Sequence, residues 1–393
     1  MNSEHRARLA DLNSAPLDTF SFLPGKQLRC FPVSNRAESF VGMPAPLVEV
    51  WRGPIVESLH RGHLIAVDGS GQTITALGAP ETVTYVRSSG KPFQALPLIT
   101  SGAADRFGFT TQEIAIACGS HSGEPVHVET VQSMLRKIGL DESSLKCGVH
   151  VPFSAEVARE LARNQKQPSV LQNNCSGKHA GMLALAIQLG APIETYDERT
   201  NPVQREIGKT VSEFSDIPLE KIAIGIDGCG VPVFGIPVKA MALMYARLVS
   251  PPADFDSGPR NACKRIVNAM IEFLEMIGGA KDRLDTELIR AGNGRLISKI
   301  GAEGVYTVGV LPCEEWPSGL GLALKIEDGD DQRGRPPAVI EALLQLGVLA
   351  HRDLETLSGY APTPITNRRG ERVGEARAAF TLEIQRLDRN WEK

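Results

Sequence analysis

The sequence predicts an α+β fold: an antiparallel sheet that collects strands from both ends of the chain, flanked by helices, with a second, mostly helical lobe. Three observations carry this expectation. Short β-rich runs separated by Gly and Asp follow residue 47, amphipathic helical runs fill the middle, and two strand-like apolar runs return between residues 303 and 329. The 393-residue length supports a sizeable core without disulfide staples.

Residues 1 to 43 are polar, broken by Pro and Asn and aperiodic, and read as an N-terminal extension, with Met43 as an alternative start. The region 44–393 then reads as one two-lobed domain. LVEVWRG, IVESLHRG, HLIAVDGSG and TITALGA alternate with turn residues, as an antiparallel meander does. Helices are expected in FQALPLITSGAADRFG, TQEIAIACG and EPVHVETVQSMLRKIG, the last with Val126, Val128, Val131 and Met134 near a 3.6-residue period. SAEVARELARNQ reads as helix, and NNCSGKHAGMLALAIQLG has an Asn/Ser start and a Gly stop. The strand IAIGID runs into glycine-dense DGCGVPVFGIP, and two more helices follow in VKAMALMYARLV and RNACKRIVNAMIEFLEMIG. EGVYTVGVLP and GLGLALKIEDG pair as late strands, with PPAVIEALLQLGVLA as a helix on the sheet.

Charge excludes some partners. With 42 basic against 46 acidic side chains the net charge is −4, and no basic stripe interleaves with aromatics, so nucleic acid and acidic membrane surfaces are not expected partners. No apolar run reaches the 18 residues of a membrane span, and the first residues lack the apolar core of a secretory signal. Seven scattered cysteines cannot all pair, which points to a reducing cytoplasm. The 38 Gly and 26 Pro imply many tight turns.

Four segments could carry chemistry. In TYVRSSGKPFQALPL, Ser88 lies three residues before Lys91, with Pro92 suited to a helix first turn. A serine hydroxyl needs an adjacent base, and a lysine one turn on serves if desolvation or neighbouring positive charge keeps it neutral. The same pattern also marks an ordinary solvated helix start. In ACGSHSGEPVH, Ser120 and Ser122 flank His121 in a turn where small residues admit a ligand; the plain alternative is a polar turn with Ser122 as N-cap and a surface histidine. In SKIGAEGVYTVGV, Lys299 precedes a Gly-rich step into a strand, a layout similar to the K-[ST]-G strand of penicillin-binding proteins with Ile300 in place of Thr; it could equally be a surface charge. In LQNNCSGKHAGM, Cys175, Lys178 and His179 cluster at a helix start, with Asp227 and Cys229 downstream. Thiolate, imidazole and amine suit Zn²⁺, although this spacing is no zinc finger and distant cysteines are commonly core residues.

Taken together, YVRSSGKPFQALPL, CGSHSGE, NNCSGKHAGM, GIDGCGVPVFG and SKIGAEGVY, in that order, resemble the class 3 (rhizobial-type) L-asparaginases over about residues 46 to 380. The resemblance implies hydrolysis of L-asparagine to L-aspartate and ammonia by a homodimer whose fold is similar to those of serine β-lactamases and glutaminases. Ser88 and Lys91 match the family's first Ser-Lys pair, Ser120 its second serine and Lys299 the distant lysine. Cys175, Lys178 and Cys229 match positions that hold zinc, where the residues alone would favour His179 as a ligand. The resemblance also implies that Arg87 neutralises a carboxylate and that Asp227 orients one of the zinc ligands or binds the substrate's ammonium group; His179 is expected to bind substrate. Zinc is expected to place substrate and not to activate water. The rival readings are a β-lactamase-like serine acylase, which the missing S-D-N and secretion signal disfavour, and a non-catalytic amino-acid-binding protein.

Overall fold

The computed structural model describes residues 42–385. The expected extension over 1–43 lies outside the described residues apart from its last two. Eleven strands are seen among the described residues: β1 (Ala45–Arg52), β2 (Ile55–Asp68), β3 (Thr73–Leu77), β4 (Val83–Tyr85), β5 (Ala223–Ile226), β6 (Pro232–Pro237), β7 (Leu296–Ile300), β8 (Val305–Val310), β9 (Leu320–Ile326), β10 (Thr363–Thr366) and β11 (Arg372–Ala378). The helices are α1 (Lys91–Thr100), α2 (Ala103–Arg106), α3 (Thr111–Cys118), α4 (Pro125–Lys137), α5 (Ala155–Arg163), α6 (Ser176–Leu189), α7 (Pro202–Ser215), α8 (Val238–Val249), α9 (Ser257–Glu272), α10 (Leu274–Ile277), α11 (Leu284–Gly292) and α12 (Arg335–Gln345).

The expected α+β class is the observed one. The main sheet runs β10-β11-β1-β2-β9-β8-β7, with β3 on the far half of β2, and every pairing is antiparallel. β2 joins two runs the sequence splits at Gly62. That glycine is required, because a side chain there would strike the Lys325 carbonyl on β9. Every residue of β8 and β9 is buried, so both faces are covered, and α8 and α12 pack on these strands. β4, β6 and β5 form a separate small antiparallel sheet.

The helical lobe is built on α1, α3, α6, α7 and α9, which pack on one another. Nine of the ten α1 residues are buried, so this helix is covered on all faces, with Lys91 and Gln94 the polar side chains among apolar ones. α3 and α6 approach closely because Gly177 faces the Ile116 carbonyl, where a Cβ would clash. The expected first helix is two pieces, α1 and α2, broken at Gly102, whose φ of +80° needs glycine. The buried face of α4 is His127, Thr130, Val131, Met134 and Leu135; Val126 is exposed, so the expected apolar stripe is one position off at its start. Six cysteines form no disulfide among the described residues, and no described helix is long and apolar enough to cross a membrane.

Candidate active site

Three loops and one strand end converge between the helical lobe and the main sheet. A 3-10 turn over Arg87–Gly90 leads into α1; the Gly119–Gly123 loop leaves α3; Asn173–Cys175 opens α6; and the β7–β8 hairpin closes over the first turn. Arg87 has φ of +49°, a left-handed conformation costly for a residue with a Cβ. The turn is held by Ser89 Oγ donating to the Val86 carbonyl at 2.7 Å and Tyr245 Oη donating to the Ser89 carbonyl at 2.8 Å.

Lys91 is 1% exposed. Its Nζ donates to the Gly119 carbonyl at 2.6 Å, Ser120 Oγ at 3.0 Å and the Asn174 carbonyl at 3.0 Å. Burial pushes its pKa below the ordinary lysine value; Lys178 pushes the same way, and Cys175 and Cys229 oppose it. The amine therefore meets Ser120, and the half-buried Ser88 hydroxyl has no hydrogen-bond partner among the described residues. The reason is local. Ser88 belongs to the turn preceding α1, so the regular i, i+3 reach of a helix does not join it to Lys91.

Ser120 is 2% exposed, and its backbone N–H donates to the Ile277 carbonyl. Arg283 secures this loop through the Ser120 carbonyl at 2.8 Å and Ser122 Oγ at 2.9 Å. Ser122 Oγ also donates to the Gly278 carbonyl, and Glu124 caps α4, so Ser122 is not the N-cap. His121 is no surface histidine: it is fully buried, with Nε2 on Ser176 Oγ at 2.9 Å and its ring stacked on His127.

Lys299 is not a surface charge either. It lies within β7, fully buried, and its Nζ reaches Asp285 Oδ2 at 3.2 Å, with Asp285 only 1% exposed. Burial lowers its pKa to about 8, Lys91 and Arg283 adding to the shift and Asp285 opposing it. The structure places it in the same charged neighbourhood as Lys91, but without a hydrogen bond to Ser88 or Ser120. Sequence reasoning missed Asp285 and Arg283, both at the start of α11.

Arg87 Nε donates to Asp227 Oδ1 at 2.9 Å, joining the first turn to the β5–β6 turn. Burial works against the Asp227 carboxylate, but Lys178 and Arg87, with the Gly228 N–H, outweigh it and hold its pKa below the ordinary value. A half-buried positive and negative pair of this kind complements the two charges of an α-amino acid.

Cys175, Lys178 and Cys229 do come together. Lys178 Nζ donates to Cys229 Sγ at 3.0 Å, and Cys229 lies 3.8 Å from Asp227 Oδ2. The Cys175 thiol is held well below its usual pKa, chiefly by a hydrogen bond from Cys229, with Lys91 and Lys178 adding to it and burial opposing it. Burial opposes charge on Lys178, yet the two sulfurs and Asp227 raise its pKa. Two buried sulfurs and an amine in mutual contact are a donor set that fits Zn²⁺, with the protons on Lys178 and Cys229 leaving as metal enters. Among the described residues no three His, Cys, Asp or Glu side chains group as a metal site, so a metal here requires the lysine as third donor. His179 points its Nδ1 at Tyr196 Oη at 2.8 Å, away from such a role, while its buried Nε2 lacks a partner.

The family model described as L-asparaginase II matches residues 48–378. No curated protein matches the chain. Solved structures similar to it include a glutaminase from Bacillus subtilis complexed with 6-diazo-5-oxo-L-norleucine, at 13% identity over 73% of this chain and 85% of that one, TM-score 0.37. Another is described as Mglu in its native form, at 14% identity over 78% of this chain and 69% of that one, TM-score 0.40. With the family match running from β1 to the end of β11, the chain belongs to the L-asparaginase II family and is an amidohydrolase.

Proposed function

We propose that the protein hydrolyses L-asparagine to L-aspartate and ammonia by serine acyl transfer. Ser88 Oγ attacks the side-chain amide carbon as Lys91 takes its proton; the tetrahedral intermediate expels ammonia, which carries that proton away; water then cleaves the aspartyl ester and regenerates Ser88. Ser120, bonded to Lys91, aligns the amine and relays the proton. Arg87 binds the α-carboxylate and Asp227 the α-ammonium, with His179 Nε2 as a further polar contact for the substrate. The observation that carries the reading is the Lys91 amine, desolvated and hydrogen-bonded to the Ser120 hydroxyl, at the head of the helix that follows directly on the turn carrying the unpartnered Ser88 hydroxyl. One methylene separates asparagine from glutamine and is worth about 1–3 kcal/mol, so a slower glutaminase activity accompanies the main one. The deciding assay is ammonia release by purified protein from asparagine and from glutamine; no release from asparagine above a Ser88→Ala control refutes the reaction.

Activity should rise with pH above neutrality. Lys91 gains positive charge when it accepts the serine proton, and a protonated Lys299 opposes that gain, so the rate climbs as Lys299 loses its proton near pH 8. Initial rates between pH 7 and 9 check this, and a flat or falling kcat/KM would contradict a lysine base.

Cys175, Lys178 and Cys229 are proposed to hold one zinc ion. Bound there, zinc supplies a fixed positive charge that helps seat the substrate. Exhaustive chelation is therefore expected to raise KM several-fold with kcat within about threefold, and to lower Tm as a ligand of the folded state is withdrawn. Metal analysis should find zinc in the native protein and its loss in Cys229→Ser. A cytoplasmic homodimer completes the proposal, its assembly measurable by light scattering.

A further inference from the structure

The Lys299–Asp285 contact is the only ion pair among the described residues in which both partners are almost fully buried. A buried carboxylate costs free energy unless it is paired and hydrogen-bonded, and this one is only half satisfied: Oδ2 meets Lys299, while Oδ1 has no hydrogen-bond partner. The pair joins two elements, the first turn of α11 and the C-terminal half of the main sheet's edge strand β7, which pack on each other. The rest of the pocket around it is crowded with polar and charged groups. Arg283 precedes α11, Lys91 enters from α1, Cys118 from α3, Tyr245 from α8, Tyr306 from β8 and Arg335 from α12. The two arginines are cationic, and Asp285 is the one carboxylate set against Arg283 at Lys299.

We propose that Asp285 is a positioning residue for the reaction: its carboxylate holds the Lys299 amine in place on β7, the strand whose hairpin packs on the turn that carries Ser88. The inference rests on the proposed Ser-Lys reaction and adds to it the group that governs the second lysine. Without the carboxylate, Lys299 keeps its burial and its cationic neighbours but loses the one opposing charge. Its protonated form then becomes less favourable, and the pH at which it becomes neutral moves down. The amine also loses its anchor, so it no longer holds a single orientation on β7.

The test compares wild type, Asp285→Asn and Asp285→Glu in kcat and KM for asparagine from pH 6 to 10, with melting curves to establish folding. In Asp285→Asn the ascending limb should move at least one unit toward acid, kcat on the plateau should fall about ten- to hundredfold, and KM should stay within about threefold. Asp285→Glu, which keeps a carboxylate, should hold the limb within about half a unit of wild type. An unmoved limb in the Asn variant, or equal shifts in both variants, overturns the proposal, since a merely structural role lowers activity at every pH alike. If Asp285→Asn does not fold, the double variant Asp285→Asn/Lys299→Met, which leaves no unpaired buried charge, is compared with Lys299→Met. Equal kcat within about threefold supports action through Lys299, and a further tenfold loss overturns it. If the wild-type protein releases no ammonia from asparagine, the reaction reading fails on its own. Asp285 is then judged by ¹⁵N-lysine NMR, with Lys299→Met identifying the resonance. A Lys299 amine that titrates no lower in Asp285→Asn than in wild type overturns the inference.

Discussion

Lys91→Met is expected to lower kcat for asparagine by about 10⁴-fold or more while leaving a folded protein. Methionine matches the length of the lysine stem and is at home in a helix whose other faces are buried, so packing in α1 is kept. What disappears is the amine that bridges the Gly119 and Asn174 carbonyls and Ser120 Oγ. Two carbonyls then lack a donor, at about 1–3 kcal/mol each if they stay dry, but the cost of burying an amine disappears with it. The expected signature is a small shift in Tm beside a near-total loss of turnover. Lys91→Arg should be as inactive, since a guanidinium stays protonated at any working pH and cannot act as base. Steady-state ammonia release with matched melting curves checks both. A Lys91→Met enzyme within about tenfold of wild type would show that the base lies elsewhere.

The parts of the fold that could be read from sequence are those where burial imposes a period or a run. β8 and β9 stand out as apolar runs because both faces are covered, and α6 because Gly190, at φ of +63°, stops it cleanly. β10 and β11 were not legible. β10 is a four-residue edge strand broken by Pro364, and β11 mixes charged and small residues with only Ala376 buried, so neither shows an apolar period. At the site, the residue types of the Ser-x-x-Lys, Gly-Ser-His-Ser and Cys-x-x-Lys segments were visible, and the chain does bring Lys91, Ser120, Cys175, Lys178 and Cys229 together. Side-chain direction was not visible. Lys91 is the first residue of α1, and a helical side chain leans toward the N-terminus, which carries this amine past the helix start into the loops after α3 and before α6. Asp285 was hidden for a different reason. An aspartate in the first turn of a helix ordinarily complements the macrodipole from the surface, and only the packing of α11 on β7 buries it against a lysine fourteen residues on.

Ser88→Ala and Ser120→Ala should separate the two hydroxyls by their losses. The Ser88 hydroxyl is half-buried and has no hydrogen-bond partner among the described residues, on a turn where Arg87 has left-handed φ, so it is free to meet substrate. Ser120 is 2% exposed and already engaged by Lys91, a placement suited to passing a proton along. Removing the attacking oxygen should cost about 10⁴-fold or more in kcat, whereas removing the relay leaves Lys91 its two carbonyl partners and should cost about 10²-fold. The double variant should fall no further than Ser88→Ala alone, because steps that act as a unit do not lose activity additively. Acid quenching during turnover, followed by peptide mass spectrometry, should find the aspartyl group on the peptide containing Ser88. The Lys91–Ser120 hydrogen bond supports one other assignment, with Ser120 as nucleophile and Ser88 binding substrate. An adduct on the Ser120 peptide, or activity within about tenfold in Ser88→Ala, would establish that assignment and leave Lys91 as the base in both.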